Sequence, residues 1–340
     1  MKILYCYRYG ILGGVCTQLI NRLEALRESP DFEAHLVFAK DMGISRTLAG
    51  YPHLHFEPEP QKVRAMALAG NFDAVVVIDT AEYLEAMSDL KDTPVITEVH
   101  TTTERGLEYL QHRNWKTAGY IVPSEYSRWM LRERFGVGRD APVRVVPNSL
   151  DISLFPRVEI ANPSARPIFA WVGKLDDHKN WRGFLNVAAR ITDLGFDAEF
   201  WMVGGETAPA SIESEFIELC DRLSLSDRIR WFPRIEYRAM HRLYAAVRAS
   251  GGAKLVTTIN ESFGMSVLEA LISGCPVVAS RVGALPEIAP GRSYLRFYTY
   301  NSCGEAAAAA VGIAEPDEAA RVRDEIDRDL GWLLGRYSSE

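Results

Sequence analysis

Apolar residues recur in short blocks along the chain, and helix-like stretches of mixed polarity separate these blocks. In the first half the blocks are KILYCY (2–7), AHLVFAK (34–40), AVVVID (74–79), PVITEVH (94–100), YIVPS (120–124) and VRVVPNS (143–149). In the second half they are PIFAWVGK (167–174), AEFWMVGG (198–205), IRWFPR (229–234), AKLVTTI (253–259) and CPVVAS (275–280). Most blocks are apolar throughout instead of alternating, which is typical of strands buried on both faces of a parallel sheet. Their alternation with helical segments such as 17–29 and 180–195 predicts a doubly wound α/β architecture.

One stretch interrupts this alternation. Residues 151–167, DISLFPRVEIANPSARP, contain three prolines and no clear hydrophobic period. We interpret them as the linker between two Rossmann-like domains, which we place at residues 1–155 and 156–320. A length of 340 residues is comfortable for two domains. Such sheets bind ligands outside the carboxyl ends of their strands, so we expect the site in a cleft that the two domains face.

Composition and charge narrow the class of protein. The net charge of −7 argues against a general nucleic-acid binder. No run approaches the roughly 18 apolar residues of a transmembrane helix, and the N-terminus lacks a signal-peptide cleavage pattern. The five cysteines are widely spread without a C-x-x-C pair, which favours reduced thiols over disulfides or a zinc site. We therefore expect a cytoplasmic location.

The segment ESFGMSVLE places Glu261 and Glu269 eight residues apart, between a strand and a helix that should begin near Ser266. Backbone N–H groups of Phe263, Gly264 and Met265 would then lie at a helix N-terminus, which is an anion site suited to phosphate. A phosphate would repel Glu269, so hydroxyls such as a ribose diol are better partners for this carboxylate. The alternative is that Glu261 is an ordinary loop acid and Glu269 a solvated helix residue.

A second segment, FAWVGKLDDHKNW, puts Lys174 and Lys179 after a buried strand and before a helix. Two cations in this position can both reach a pyrophosphate and stabilise the charge that builds on a leaving group. The alternative is a pair of surface lysines.

The first half offers weaker signals. Gly10, Gly13 and Gly14 follow the first strand, but they do not form a G-x-G-x-x-G fingerprint, and this disfavours an NAD site. His100 ends a predicted central strand, where a lone histidine is either structural or catalytic. It has no second histidine or cysteine at ligand spacing, so we expect no metal there. The HLH triplet at 53–55 lies on one strand face and predicts no function.

Together these segments resemble the retaining glycosyltransferases of the GT-B fold, family 4 (glycosyl transferases group 1). ESFGMSVLE resembles the family's E-x7-E motif, and VGKLDDHKN its donor-phosphate segment. VRVVPNSLDISLF resembles the hinge, and IRWFPRIEYRAMHRLYAAV the segment beside the base. Similar segments run in family order from about residue 1 to residue 290.

The resemblance implies a role for each candidate residue. Glu269 would hold the ribose, and Phe263, Gly264 and Met265, with Ser266 adjacent, would bind the pyrophosphate or donor sugar. Glu261 would lie beside the transferred sugar, and Lys174 and Lys179 would bind the diphosphate. His100 would lie at the reacting face of the sugar, and Gly14 would lie near the donor. The backbone of Arg234 and Ile235 would line the base. His100, Glu261 and Lys179 are the expected catalytic residues.

Family membership also implies a hexosyltransferase-type reaction that retains anomeric configuration and requires no metal or further cofactor. Two features depart from the family: Lys174 replaces the usual arginine, and Ser149 replaces a hinge glycine. Two alternatives stay open, a nucleotide-sugar 2-epimerase of GT-B architecture and an inactive scaffold subunit. A C-terminal helix at about 320–340 is expected to pack back on the first domain.

The expected partners are a nucleotide-sugar donor and an acceptor that is a sugar, a glycolipid or a small molecule. Acceptor specificity would lie in loops such as 40–70 and 101–118. A glycolipid acceptor would add peripheral membrane contact, for which Arg105, His112, Arg113, Trp115 and Lys116 are candidates, although a solvated helix face is the alternative. The sequence leaves the donor base, the acceptor and the oligomeric state open.

Overall fold

The computed structural model describes residues 1–27, 29–111 and 115–337. His112 and Arg113, named above as candidates for membrane contact, lie outside the described residues. By its internal contacts the chain divides into two compact units, residues 1–151 and residues 152–337. The division falls at the start of the proline-containing stretch, which opens with a short 3-10 turn at Ile152–Leu154.

The first unit is built on a parallel sheet whose strands are mostly short and apolar. The middle strand AVVVI is buried almost throughout, because helices cover both faces of the sheet. The strand order is β3-β2-β1-β4-β5-β6-β7, so the chain reverses direction across the sheet between β1 and β4. The strands are Lys2–Gly10 (β1), Glu33–Asp41 (β2), Leu54–Phe56 (β3), Ala74–Ile78 (β4), Val95–Glu98 (β5), Gly119–Val122 (β6) and Val143–Val145 (β7).

Helices of the first unit follow the strands and bury one apolar stripe each. Helix α6 is the most amphipathic of them: Met130 and Leu131 lie in the core, and the Ser124 hydroxyl accepts a hydrogen bond from the Ser127 N–H as its N-cap. The helices are Gly14–Leu26 (α1), Ile44–Thr47 (α2), Pro60–Ala69 (α3), Ala81–Met87 (α4), Glu104–Leu107 (α5) and Glu125–Glu133 (α6), with a 3-10 turn at Glu108–Leu110.

The second unit repeats the plan with a sheet ordered β10-β9-β8-β11-β12-β13. Its reversal point lies between β8 and β11, which pair directly in parallel. Ligands of doubly wound sheets bind at such a point, outside the carboxyl ends of the strands. The strands are Ile168–Val172 (β8), Glu199–Val203 (β9), Ile229–Phe232 (β10), Ala253–Val256 (β11), Val277–Ser280 (β12) and Leu295–Tyr298 (β13).

Helix α13 is the long C-terminal helix of the second unit, and it packs on that unit along its length. Leu333 and Tyr337 are buried, and the Tyr337 hydroxyl donates to the Ile288 carbonyl at 2.9 Å. Packing of its end on the first unit stays a prediction. The helices are Trp181–Asp193 (α7), Ala210–Arg222 (α8), Met240–Ala249 (α9), Met265–Ile272 (α10), Leu285–Ile288 (α11), Cys303–Ala314 (α12) and Pro316–Tyr337 (α13), with a 3-10 turn at Tyr237–Ala239.

The predicted doubly wound architecture is confirmed, and each apolar block overlaps one observed strand. Of two short strands outside these blocks, β3 was noted only as the strand face of the HLH triplet at 53–55, and β13 was missed. The first has only three residues, and Arg296 interrupts the apolar run of the second. In the described part of the chain no helix is long and apolar enough to cross a membrane.

Candidate active site

Two loops meet at the reversal point of the second unit. Residues 173–180 follow β8 and lead into α7, and residues 257–264 follow β11 and lead into α10. The Thr257 hydroxyl donates to the Asn180 carbonyl at 2.8 Å, and the Thr258 hydroxyl donates to the His178 carbonyl at 3.0 Å. These bonds join the first loop to the second, so the candidate residues of two distant sequence segments share one edge of the sheet.

Lys179 and Glu261 are brought together by this junction. The Lys179 Nζ contacts Glu261 Oε1, and both side chains are partly buried. The Lys179 backbone is fixed as well, because its N–H donates to the Asp176 carboxylate at 2.8 Å. A half-buried ammonium at the carboxyl end of a parallel sheet is a binding group for a phosphate oxygen.

The N-terminus of α10 starts on Gly264, whose φ of 100° lies in the left-handed region. A Cβ there would lie 2.5 Å from Leu285 Cδ2, so only glycine fits. The Phe263 and Met265 side chains are buried, with Phe263 edge-on to Tyr337. The polar surface of this turn is therefore its main chain and the half-buried Ser266, at the positive end of the helix.

Glu269 lies one turn into α10 and is only 4% exposed, which contradicts the interpretation as a solvated helix residue. Its Oε2 accepts a hydrogen bond from the Tyr244 hydroxyl at 3.1 Å. Burial raises the pKa of Glu269, and the positive charge of Lys254 and the Tyr244 and Tyr237 hydroxyls oppose that rise. The carboxylate can accept further hydrogen bonds, as a ribose diol would require.

Lys254, on β11, is the buried cation beside Glu269. It is 1% exposed, and among the described residues its Nζ has no hydrogen-bond partner. The Nζ lies 5.5 Å from the centroid of the Tyr244 ring. Burial lowers the pKa of Lys254, and the charge of Glu269 works in the opposite direction.

The other donor candidates of the second unit lie on neighbouring loops. Lys174 is exposed on the loop after β8. Arg234 and Ile235 lie between β10 and the 3-10 turn at Tyr237–Ala239. The Arg234 guanidinium is paired with Glu206 and with Glu236, each at 2.8 Å, so the side chain is engaged within the protein.

In the first unit, His100 lies two residues past the end of β5, in a loop and not in the strand predicted for it. Its Nε2 lies 2.7 Å from Glu98 Oε1. Arg22 of α1 grips the same carboxylate with both terminal nitrogens, at 2.8 and 2.5 Å. Burial acts to raise the pKa of Glu98, but Arg22 and His100 outweigh it and hold that pKa well below its usual range. An ionised Glu98 only accepts, so the ring proton lies on Nε2.

Asp79 shapes the loop that carries His100. Its Oδ2 accepts from the N–H groups of His100 and Thr101, at 3.0 and 2.8 Å. Its own φ is 40°, an uncommon value for a non-glycine residue. Burial raises the pKa of Asp79 to about 6. Gly14 opens α1 in the same unit, and a Cβ there would meet no atom within 4 Å, so a ligand can approach it.

Sequence reasoning missed four residues that act on the candidates, namely Arg22, Glu98, Tyr244 and Lys254. The sequence could have indicated two of them, because Glu98 and Lys254 are charged residues inside the apolar blocks VITEVH and AKLVTTI. Such charges are rarely buried unless they are paired. No sequence pattern indicates Arg22 or Tyr244, because these residues meet their partners only in the folded chain.

Two family models match this chain, one on each half. Residues 166–315 match the model of glycosyl transferases group 1, and residues 25–154 match that of glycosyltransferase family 4. The chain belongs to the group 1, family 4 glycosyltransferases. The epimerase and scaffold alternatives are not favoured by these matches.

Curated relatives of this glycosyltransferase chain match over a limited span. A D-inositol 3-phosphate glycosyltransferase of Corynebacterium diphtheriae is 33% identical over 126 residues, which are 36% of this chain and 29% of that protein. A 2-deoxystreptamine glucosyltransferase of Streptomyces kanamyceticus is 30% identical over 185 residues, which are 50% of this chain and 44% of that protein. The matches thus span less than half of these relatives.

Solved structures match over the full length and establish the GT-B fold. HepE of Anabaena, in complex with UDP and glucose, has a TM-score of 0.80 at 18% identity, covering 100% of this chain and 96% of that one. Sucrose-phosphate synthase of Thermosynechococcus elongatus has a TM-score of 0.80 at 16% identity, covering 99% of this chain and 95% of that one.

Proposed function

We propose that this glycosyltransferase moves a sugar from a nucleotide diphosphate sugar to an acceptor hydroxyl, with retention of anomeric configuration and without a required metal. The observation that carries the proposal is the junction of Lys179 and Glu261 at the reversal point of the second unit. It places a cation beside a glycine-capped helix N-terminus, the pairing that a diphosphate needs.

The donor is assigned to the second unit residue by residue. Lys179 and the exposed Lys174 bind the diphosphate with the N–H groups of Phe263, Gly264 and Met265 and with Ser266. Glu269 accepts hydrogen bonds from the ribose, and Glu261 lies beside the transferred sugar. The backbone of Arg234 and Ile235 lines the base. In the first unit, His100 acts at the reacting sugar and Gly14 near the donor.

The reaction breaks the bond between the anomeric carbon and the diphosphate oxygen and forms a bond from the same face to the acceptor oxygen. The acceptor proton passes to the departing diphosphate, so atoms and charge balance without an enzyme nucleophile. Lys179 and the α10 N-terminus stabilise the negative charge on the leaving group. Glu98 acts through His100 by fixing its ring proton on Nε2, and is therefore a positioning residue.

Calorimetric titration with UDP, GDP, ADP and TDP tests the donor site. Because HepE was solved with UDP, and also with UDP-glucose, uridine nucleotides come first. We expect one nucleotide to bind, and Lys179→Met to weaken it by about 10- to 100-fold through loss of a charged hydrogen bond. Lys62→Met is the matched control, because Lys62 is an exposed lysine paired with Glu59 in the other unit. It should bind like wild type.

Unchanged binding by Lys179→Met, or no binding to wild type at millimolar nucleotide, would contradict the assignment. Nuclear magnetic resonance of the product then reports the anomeric configuration, and an inverted product would refute retention. Turnover of the donor to an epimer without any acceptor would restore the epimerase alternative.

The acceptor class, a sugar, a glycolipid or a small molecule, is a prediction from the family resemblance, and a cytoplasmic location is a prediction from composition. A glycolipid acceptor would require contact with a membrane surface, and co-sedimentation with vesicles measures that contact directly.

A further inference from the structure

Three histidines and a glutamate meet at the β3 edge of the first sheet, and none of them is assigned to the donor or to the reacting sugar. We propose that Glu33, His35 and His53 form a binding site for a first-row transition-metal dication of the Zn²⁺ class. The site would hold the edge strand β3 on its neighbour β2.

Strand pairing brings the three residues together. His35 lies on β2, and His53 immediately precedes β3, where its carbonyl accepts from the Leu36 N–H at 2.8 Å. Glu33 lies on β2, two residues before His35, so both side chains are on one face of the sheet. The Glu33 Oε1 and His35 Nε2 atoms are 2.5 Å apart. One ligand atom from each of the three residues lies within 4.8 Å of the others.

Only small movements separate this arrangement from a coordinated one. Ligand atoms on a tetrahedral zinc, each about 2.0–2.1 Å from the metal, are roughly 3.3 Å apart. The three side chains therefore need shifts of about 1 Å, which rotation of the side chains can supply. Glu33 is exposed, whereas the His35 ring is mostly buried among His53, His55 and Phe72, so the carboxylate and His53 would make most of the movement.

The imidazoles lie side by side in this cluster. The His35 ring stacks on His53 at 4.1 Å between centroids and on His55 at 5.7 Å. A metal binds the neutral imidazole, so metal affinity should fall as pH is lowered.

His55 adds an independent observation. Its Nε2 is buried and has no hydrogen-bond partner among the described residues. Buried ring nitrogens are normally hydrogen-bonded, so this one is an unsatisfied polar atom next to the stacked His35 ring. Two imidazole nitrogens with one carboxylate suit Zn²⁺, Ni²⁺ or Co²⁺, whereas Mg²⁺ and Ca²⁺ prefer oxygen ligands.

Lys2 is the competitor for Glu33. Its Nζ lies 3.1 Å from Glu33 Oε1, and its side chain is about one third exposed. A dication would replace this ammonium at the carboxylate, and Lys2 can turn into solvent. Removal of the Lys2 charge should therefore leave metal affinity equal or higher.

The position of the cluster assigns it a structural role. His35 is six residues before the end of β2 at Asp41, which is roughly 20 Å along a strand. The cluster thus lies toward the amino ends of the strands, whereas His100 follows the carboxyl end of β5. Strand β3 has three residues and lies at an edge of the sheet, where β2 is its one neighbour among the described strands, so a metal would cross-link a short edge strand to the sheet.

The test titrates Co²⁺ and Zn²⁺ into the full chain without an affinity tag, followed by absorption spectroscopy and by thermal unfolding. We expect one equivalent of Co²⁺ to give the spectrum of nitrogen and oxygen ligands, and Zn²⁺ to raise the unfolding temperature. His35→Gln combined with His53→Gln should weaken binding at least tenfold and abolish the thermal shift. Lys2→Met is the matched control, and it should bind as tightly as wild type or more tightly.

Three results would overturn the proposal. The first is that wild type binds no metal at micromolar concentrations. The second is that the double variant binds metal as tightly as wild type does. A thiolate-to-cobalt charge-transfer band would place the metal on a cysteine instead. Circular dichroism checks that the double variant is folded, and Glu33→Gln, which is exposed, repeats the test with less risk to the fold.

Discussion

Each unit buries a carboxylate beside a cation, and the two pairs are built differently. In the first unit, Glu98 receives two bonds from Arg22 and one contact from His100. In the second unit, Glu269 receives a bond from Tyr244, while the neighbouring Lys254 Nζ has no hydrogen-bond partner in the described part of the chain. The pKa of Glu98 is lowered, whereas burial raises that of Glu269.

The difference in hydrogen bonding indicates that one carboxylate positions its neighbours and that the other can bind a ligand. A carboxylate whose acceptor sites are occupied by fixed donors keeps its charge and holds its neighbours in place. A buried carboxylate with spare acceptor capacity gains most when a ligand supplies the missing donors. Glu98 thus fits a role in orienting His100, and Glu269 fits a role in holding hydroxyls of the donor.

The largest expected effect comes from breaking the pair in the first unit. Arg22→Met leaves Glu98 buried without its main partner, so we expect the free energy of unfolding to fall by about 3–5 kcal/mol. Urea denaturation measures the loss. Arg27→Met, at the C-cap of the same helix and paired with Glu24 at the surface, is the control and should change stability by less than about 1 kcal/mol. If both variants lose a similar amount of unfolding free energy, the buried pair contributes no more to stability than the surface pair.

The loss of unfolding free energy in Arg22→Met should depend on pH, and this dependence tests whether the charge of Glu98 causes it. Because the folded-state pKa of Glu98 is depressed, its contribution to stability is present above the unfolded pKa of about 4.5 and is lost as pH falls toward the folded value. The gap in stability between wild type and Arg22→Met should therefore narrow progressively below about pH 4.5. Denaturation curves at several acidic pH values measure it. A gap that stays constant from neutral pH down to pH 3 would assign the loss to packing, not charge.

The fold class was predictable from sequence because continuous apolar blocks specify buried parallel strands, whereas the strand order and its reversal points come from the structure. Spacing along the chain placed Gly264 at a helix start and Lys179 after a buried strand, and their roles stay predictions. The hydrogen-bond partners of Glu98 and Glu269 were not predictable from the sequence. Arg22 lies 76 residues before Glu98, and Tyr244 lies 25 before Glu269. Nothing local in the sequence records such contacts. The histidine cluster was missed for the same reason, since His35 and His53 meet only through strand pairing.

The smallest expected effect on stability comes from Lys254→Met in the second unit. Among the described residues the Lys254 Nζ makes no hydrogen bond that the substitution would break, and its charge is already disfavoured by burial. Methionine fills a similar volume. We expect a loss of at most about 1–2 kcal/mol in urea denaturation, well below that of Arg22→Met. A loss as large as that of Arg22→Met would show that Lys254 and Glu269 form a full ion pair.

The same variant tests the role of Glu269 as a binding group. The positive charge of Lys254 opposes the rise in the pKa of Glu269, so its removal should raise that pKa further. A protonated carboxyl is a poorer acceptor for ribose hydroxyls, so nucleotide affinity should fall by several-fold and recover as pH is raised. Calorimetry across the pH range separates this from a structural defect, because a distorted site would bind weakly at every pH. If the affinity of Lys254→Met matches wild type throughout, Glu269 does not depend on Lys254 for its charge, and the Tyr244 and Tyr237 hydroxyls are the groups that keep it ionised.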